Sequence, residues 1–332
     1  MIVDAHNDLL AELVHRDGEE LPFARYWRPE LDAGGVGLQV CAIYTADDAD
    51  DALRLGLAQA AAHHRLLAES PDVVPVRTAQ DLDREGLRVM LSVEGAELFV
   101  SDPQLAYGYW GLGARMFSLT WNHRNAFADG LGVEDDEGLS ALGRELVDIL
   151  AGLGAMLDLS HASPRTFDDV LAAAPEASVL ASHACCRTVH DTPRNLSDEQ
   201  LVAVSARGGV VGMMALPLTV DPSQPTIDRL IDHVDHAVQV MGIEHVGLGG
   251  DFIRQLARAK GMTEIRGGLF PPGMEPGAAI EGLEGPAGYP GLVAALERRG
   301  YRGGRLDAIL RENWLRVFRA GLPASEPAPL AS

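Results

Sequence analysis

The sequence predicts a single-domain α/β fold of the (β/α)8 TIM-barrel type, on two observations. Eight short, nearly continuous apolar runs recur along the 332 residues, with amphipathic helix-length patterns between them. Strands covered on both faces read this way, because helices lie against each side of a parallel sheet. The second observation is that no Gly-rich phosphate loop follows the first run, which disfavours an open, doubly wound sheet.

The predicted strands are "IVDAH" (2–6), "LQVCAIY" (38–44), "RVMLSVE" (88–94), "RMFSLTW" (115–121), "AMLDLSH" (155–161), "SVLASHA" (178–184), "GVVGMMA" (209–215) and "HVGLGGD" (245–251). Residues 50–68, rich in Ala and Leu, predict the first long helix. Residues 140–153 carry Leu142, Leu146 and Ile149 at helical spacing. Residues 163–173 begin Ser-Pro, a cap followed by a residue preset for the first turn. Residues 197–207 begin "SDEQ", which places Ser197 and Gln200 as a capping box. A further helix is expected over 226–241. Residues 252–290 are rich in Gly and Pro and predict a long loop over the barrel mouth. The tail 322–332 has the composition of a disordered end, so the barrel is expected over 1–321.

Composition narrows the function. A net charge of −21 repels phosphate backbones and anionic membrane surfaces, so neither nucleic acid nor membrane is an expected partner. No apolar run approaches the roughly 18–20 residues that cross a bilayer. The first residues have no basic-then-apolar signal pattern, and three cysteines make no disulfide framework. A cytoplasmic location is the expectation. Cys185 and Cys186 read as small apolar packing, and His63–His64 as a solvated helix face.

The chemistry collects at the carboxyl ends of the runs, where active sites of such barrels lie. The first run leads to His6 and Asp8, which share a face by strand alternation. The third ends in Glu94, the fifth in His161, the sixth reaches His183, and the eighth ends in Asp251. Titratable groups are costly to bury without partners, so their recurrence at one end of five runs points to a shared ligand. Imidazoles with carboxylates and no thiol pair suit Zn²⁺ or a similar divalent ion. The donors are too many for one open tetrahedral site. They suit two ions about 3.5–4 Å apart, with a glutamate between them.

These residues resemble the renal (membrane) dipeptidases, a dizinc peptidase family among the amidohydrolase-like barrels. The likeness covers nearly the whole chain, through "DAHNDLL", "SVEGAE", "LDLSHAS", "SHACCRTVHDTPRNLSDEQL", "VGLGGDF", "GLEGPAGYPGLVAALERRGY" and "ENWLRVF". The resemblance implies two Zn²⁺ ions, one bound by His6 and Asp8, the other by His161 and His183, with Glu94 bridging. It implies that Arg194 grips the carboxylate of a small dipeptide. It also implies that a metal-bridging hydroxide attacks while Asp251 carries the proton. A C-terminal D-residue in the substrate and a homodimer are expected only by analogy with relatives.

The sequence departs from the mammalian members at one point. Where they carry a histidine after the fourth strand, this chain has Trp121, followed by Asn122 and His123 as other groups that could face the substrate. The seventh run, "MMALPLTV", has no tyrosine to assist carboxylate binding. A zinc dipeptidase is therefore the leading expectation. Two others stand beside it: a dinuclear hydrolase of another amide, a lactam or a lactone, and a metal-binding barrel with little catalysis.

Overall fold

A computed structural model of the chain describes residues 1–45, 51–261 and 277–325. Among these are nine strands: β1 Ile2–Asp4, β2 Val36–Tyr44, β3 Val73–Pro75, β4 Leu87–Glu94, β5 Ala114–Ser118, β6 Met156–Asp158, β7 Val179–Ala184, β8 Val211–Met213 and β9 Val246–Leu248. They pair in the order β2-β1-β9-β8-β7-β6-β5-β4-β3, and a further β2–β4 pairing closes the ring. Every pairing is parallel. The eight predicted runs are the eight staves of this barrel. The ninth strand, β3, went unpredicted. It pairs with Leu87–Val89 at the start of β4, on the side that β5 takes over from Leu91 onward.

Alternation along the staves makes two apolar clusters. Val3, Leu38, Val40, Met90, Met116, Met156 and Leu180 form one with Trp314, Val317 and Phe318. This cluster fills the barrel, and the C-terminal helix Asn313–Gly321 plugs its amino end. Cys41, Ile43, Leu91, Val93, Phe117 and Leu157 form part of the other, between strands and helices. Both faces of each stave are therefore buried, which is why the runs are unbroken in apolar character.

The helices start where their caps place them. Ser140, Ser163 and Thr226 each accept a backbone N–H three residues on, and open helices Ala141–Leu153, Pro164–Ala173 and Ile227–Met241. Ser197 and Gln200 form the reciprocal box that opens Asp198–Ala206. No helix of the described residues is long and apolar enough to cross a membrane.

Three expectations change. His63 is not solvated: it lies on the inner face of helix Ala52–Glu69 and is only 2% exposed. Residues 252–290 are not loop throughout, since they contain helix Arg254–Ala259. They also contain a 3₁₀ turn, Pro286–Gly288, whose backbone abuts Gly34. Residues 262–276 of that predicted loop lie outside the described residues. The tail begins packed: Leu322 is buried, and the Pro323 carbonyl accepts the Ala79 N–H. Residues 326–332 lie outside the described residues.

Candidate metal centre

The site grows from the carboxyl ends of β1, β4, β6, β7 and β9. Two glycines let these ends converge. A Cβ on Gly212 would meet the Ser182 carbonyl oxygen at 2.0 Å, and one on Gly249 would meet it at 1.8 Å. Larger residues there would push β8 and β9 off β7, and with them Asp251 away from His183. Two site residues have left-handed backbones without being glycine: His161 at φ 64° and Asp251 at φ 50°. Such conformations persist only where surrounding structure holds them.

His6, Asp8, Glu94, His161, His183, Arg194 and Asp251 are all buried. The structure brings them into one pocket. His6 Nε2 lies 3.4 Å from Glu94 Oε2, 3.6 Å from Asp8 Oδ1 and 3.8 Å from Asp251 Oδ1. Glu94 Oε1 turns the other way, 3.1 Å from His161 Nε2 and 3.5 Å from His183 Nε2. One carboxylate thus faces two donor groups, one with each oxygen. Arg194 Nη2 donates to His161 Nε2 at 2.9 Å and to the His183 carbonyl at 3.0 Å. Trp121 is half-buried beside them, with its ring centroid 6.0 Å from His161, 5.4 Å from His123 and 5.5 Å from Tyr44. His123 is exposed, and Asn122 is buried with Oδ1 2.7 Å from His161 Nδ1.

The donor set fits divalent cations. Both ring nitrogens of His6, Asp8 Oδ1 and Glu94 Oε2 are buried without a hydrogen-bond partner. Each such atom costs about 1–3 kcal/mol if left so. The tautomers sharpen the point. A guanidinium can only donate, so His161 Nε2 carries a lone pair. His183 Nδ1 bonds Ser182 Oγ at 2.7 Å, and that hydroxyl donates to Asp158 Oδ2 at 2.5 Å. This order puts the His183 proton on Nδ1 and leaves Nε2 a lone pair. The two Nε2 atoms then face each other across 2.9 Å. A shared electrophile resolves that repulsion. Two donor groups span distances a single ion can bridge: His6 with Glu94 and His183, and His6 with Asp8 and Asp251.

The electrostatics agree. Burial pushes Glu94 and Asp251 above the usual carboxylate range, only partly offset by His6. Burial pulls His161 and His183 well below the usual imidazole value, and the charges of Arg194 and His6 add to this. Burial pulls His6 down too, but the Glu94 charge and its contacts with Asp8 and Glu94 outweigh it and hold it well above normal. The pocket is rich in carboxylates and short of positive charge.

Three supporting residues escaped the sequence reading. Asp4 is buried and accepts from the Gly250 N–H at 2.9 Å, the His6 N–H at 3.2 Å and the Tyr289 hydroxyl at 2.8 Å. It ties the ends of β1 and β9 together. Strand alternation puts Asp4 on the face of His6 and Asp8, so a signal was there. Asp158, a charge inside an apolar run, was a second signal. Tyr289 gave none, being 285 residues away from its partner.

A closed parallel barrel with a buried His–carboxylate cluster at its carboxyl rim defines a metal-site barrel. More narrowly, the chain belongs to the membrane dipeptidase family, peptidase family M19, whose family model matches residues 1–267. It is 29% identical to Dipeptidase 3 of Mus musculus over 337 aligned residues, 96% of this chain and 64% of that protein. It is 32% identical to an uncharacterized dipeptidase of Schizosaccharomyces pombe over 244 residues, 72% of this chain and 54% of that protein. The chain thus spans between half and two thirds of the length of these curated relatives. Its fold matches that of the crystal structure of dipeptidase AC, a metallopeptidase of family M19, at TM-score 0.82 and 24% identity, over 98% of this chain and 99% of the other. It also matches a Rhodobacter sphaeroides metallopeptidase liganded with a phosphinate mimic of L-Ala-D-Ala, at TM-score 0.80 and 24% identity, over 95% and 97%.

Proposed function

We propose that this chain is a zinc-dependent dipeptidase that hydrolyses small dipeptides, including those with a C-terminal D-residue. The observation that carries the reading is the split of the Glu94 carboxylate, one oxygen toward His6 and the other toward His161 and His183. His6 and Asp8 would hold one ion, His161 and His183 a second, and Glu94 would bridge. When bound, such a pair acidifies a water and polarises the scissile carbonyl.

The chain's own residues do the rest. Arg194 presents a planar fork to the substrate carboxylate, a geometry that two parallel hydrogen bonds reward. Its burial beside His161 supports this, because a charge–charge contact is worth most where water is absent. Asp251 receives the proton of the attacking water on its carboxylate and passes it to the leaving amine. Burial raises its pKa, which suits a group that must hold a proton transiently at neutral pH. Trp121 and the exposed His123 would border the substrate and limit its size.

The test combines metal analysis with a dipeptide panel. Two ions per chain, turnover of some L,L- or L,D-dipeptide and loss of turnover on chelation support the reading. Fewer than about two ions, or no turnover of any dipeptide by the fully loaded protein, overturns it. Trp121, standing where mammalian members carry histidine, is the observation that favours a second reading: hydrolysis of another amide, a lactam or a lactone. Turnover confined to such compounds would establish it.

A further inference from the structure

What holds His161, whose left-handed backbone is otherwise unfavourable for a histidine? The answer lies in three consecutive residues after β5. The Thr120 hydroxyl donates to the His161 carbonyl at 3.2 Å. The Trp121 ring lies tilted by 32° beside the imidazole. Asn122 Oδ1 meets His161 Nδ1 at 2.7 Å. Asn122 is itself fixed: its side chain is buried, and its carbonyl accepts the Gly132 N–H at 2.9 Å.

Since Arg194 can only donate to Nε2, the His161 proton sits on Nδ1 and is given to Asn122. We propose that Asn122 is the positioning residue of the second metal site: it selects the Nδ1–H tautomer of His161 and aims the Nε2 lone pair at the Glu94 carboxylate. This inference rests on the metal centre proposed above. It gives Asn122 a different task from contacting substrate.

The supports of the two second-site imidazoles differ in kind. His183 is backed by a carboxylate, Asp158, through Ser182. His161 is backed by a neutral amide, which raises the basicity of its ligand nitrogen less. His161 is then the weaker of the two imidazole ligands of the second ion. Outer partners of ligating histidines are typically worth 10–100-fold in metal affinity.

The experiment uses the full chain with Asn122→Leu and Asn122→Asp. Metal-stripped wild type is first titrated with Co²⁺, whose spectrum reports each equivalent, and with Zn²⁺ against a chelator. Asn122→Leu should weaken the second equivalent about 10–100-fold and leave the first unchanged. Asn122→Asp keeps the acceptor and adds charge, so the second equivalent should bind at least as tightly as in wild type. Nitrogen-15 NMR of the histidines in the metal-stripped protein should show the Nδ1–H form of His161 in Arg194→Ala, where no guanidinium dictates it, and its loss when Asn122→Leu is added to that variant.

Wild type that binds fewer than two ions would sink the dinuclear reading, while the tautomer measurement would still decide the role of Asn122. Two tight equivalents in Asn122→Leu, or the same tautomer in Arg194→Ala with and without Asn122, overturn the inference. If Asn122→Leu does not fold, Asn122→Asp decides: weaker binding of the second equivalent there overturns the proposal.

Discussion

Arg194→Ala tests the assignment that decides substrate class. The guanidinium is buried, and one nitrogen already bridges His161 and the His183 carbonyl. If its fork also grips a substrate carboxylate, two charge-assisted hydrogen bonds are lost on truncation, each about 1.5–3 kcal/mol. At 1.36 kcal/mol per decade, a loss of about 3–6 kcal/mol lowers kcat/KM by roughly two to four and a half orders of magnitude. The assay is a cycle on both sides of the contact. Wild type and variant are each measured on a dipeptide and on the same dipeptide with an amidated C-terminus. Wild type should discriminate strongly against the amide, and the variant should scarcely discriminate. Arg194→Lys should recover part of the rate, since it restores the charge and not the fork. Metal content should hold at the wild-type level, because removing a cation from beside a cation site does not weaken it. Equal losses on acid and amide would refute the assignment, as would a loss that tracks missing metal.

Three further outcomes follow from other parts of the molecule. Stripping metal should lower stability: at a free Zn²⁺ concentration 1,000 times Kd each ion adds about 4 kcal/mol. Over a chain of 332 residues this is roughly 6 °C in Tm, read by calorimetry before and after chelation. Tyr289→Phe removes one of three donors to buried Asp4 and should cost about 1.5–3 kcal/mol in urea unfolding, against near-zero for an exposed control such as Tyr107→Phe. Burial lowers His63 from 6.5 to about 3, so the unfolded chain binds a proton there that the folded chain refuses. Stability is then lost as pH falls below 6.5, by about 2 kcal/mol at pH 5, and His63→Leu should remove that part of the slope.

The staves were legible because burial on both faces leaves a sequence no choice but apolar residues. Leu38–Ile43 and Val89–Val93 are divided between two clusters, yet both clusters demand the same residue types. β3 was not legible for the opposite reason. It has three residues, ends in Pro75 and takes its identity from the partner it pairs with. Helix starts were legible at Ser140, Ser163, Ser197 and Thr226, because a cap is a local hydrogen bond between residues three apart. His63 was misread because it lies on a helix whose other members are mostly alanine and leucine. Such a helix has no sharp polar stripe, so its inward face cannot be told from spacing alone.

The site shows where such reading stops. His6, Glu94, His183 and Asp251 could be assembled from sequence because a barrel maps one sequence position, the end of a stave, onto one rim. Tyr289 could not, and Asn122 was placed at the site without its contact to His161, since both parts depend on where a side chain points after the stave has ended. The same contrast explains how the fold tolerates its centre. Buried carboxylates and unpartnered imidazole nitrogens destabilise the rim, while two apolar clusters bind the staves on their inner and outer faces. A rim so short of positive charge, held rigid by Asp4, Asp158 and Asn122, does not relax by moving its ligands apart. Its remaining route to lower free energy is to take up cations, which makes metal affinity a consequence of the barrel's rigidity as much as of ligand identity.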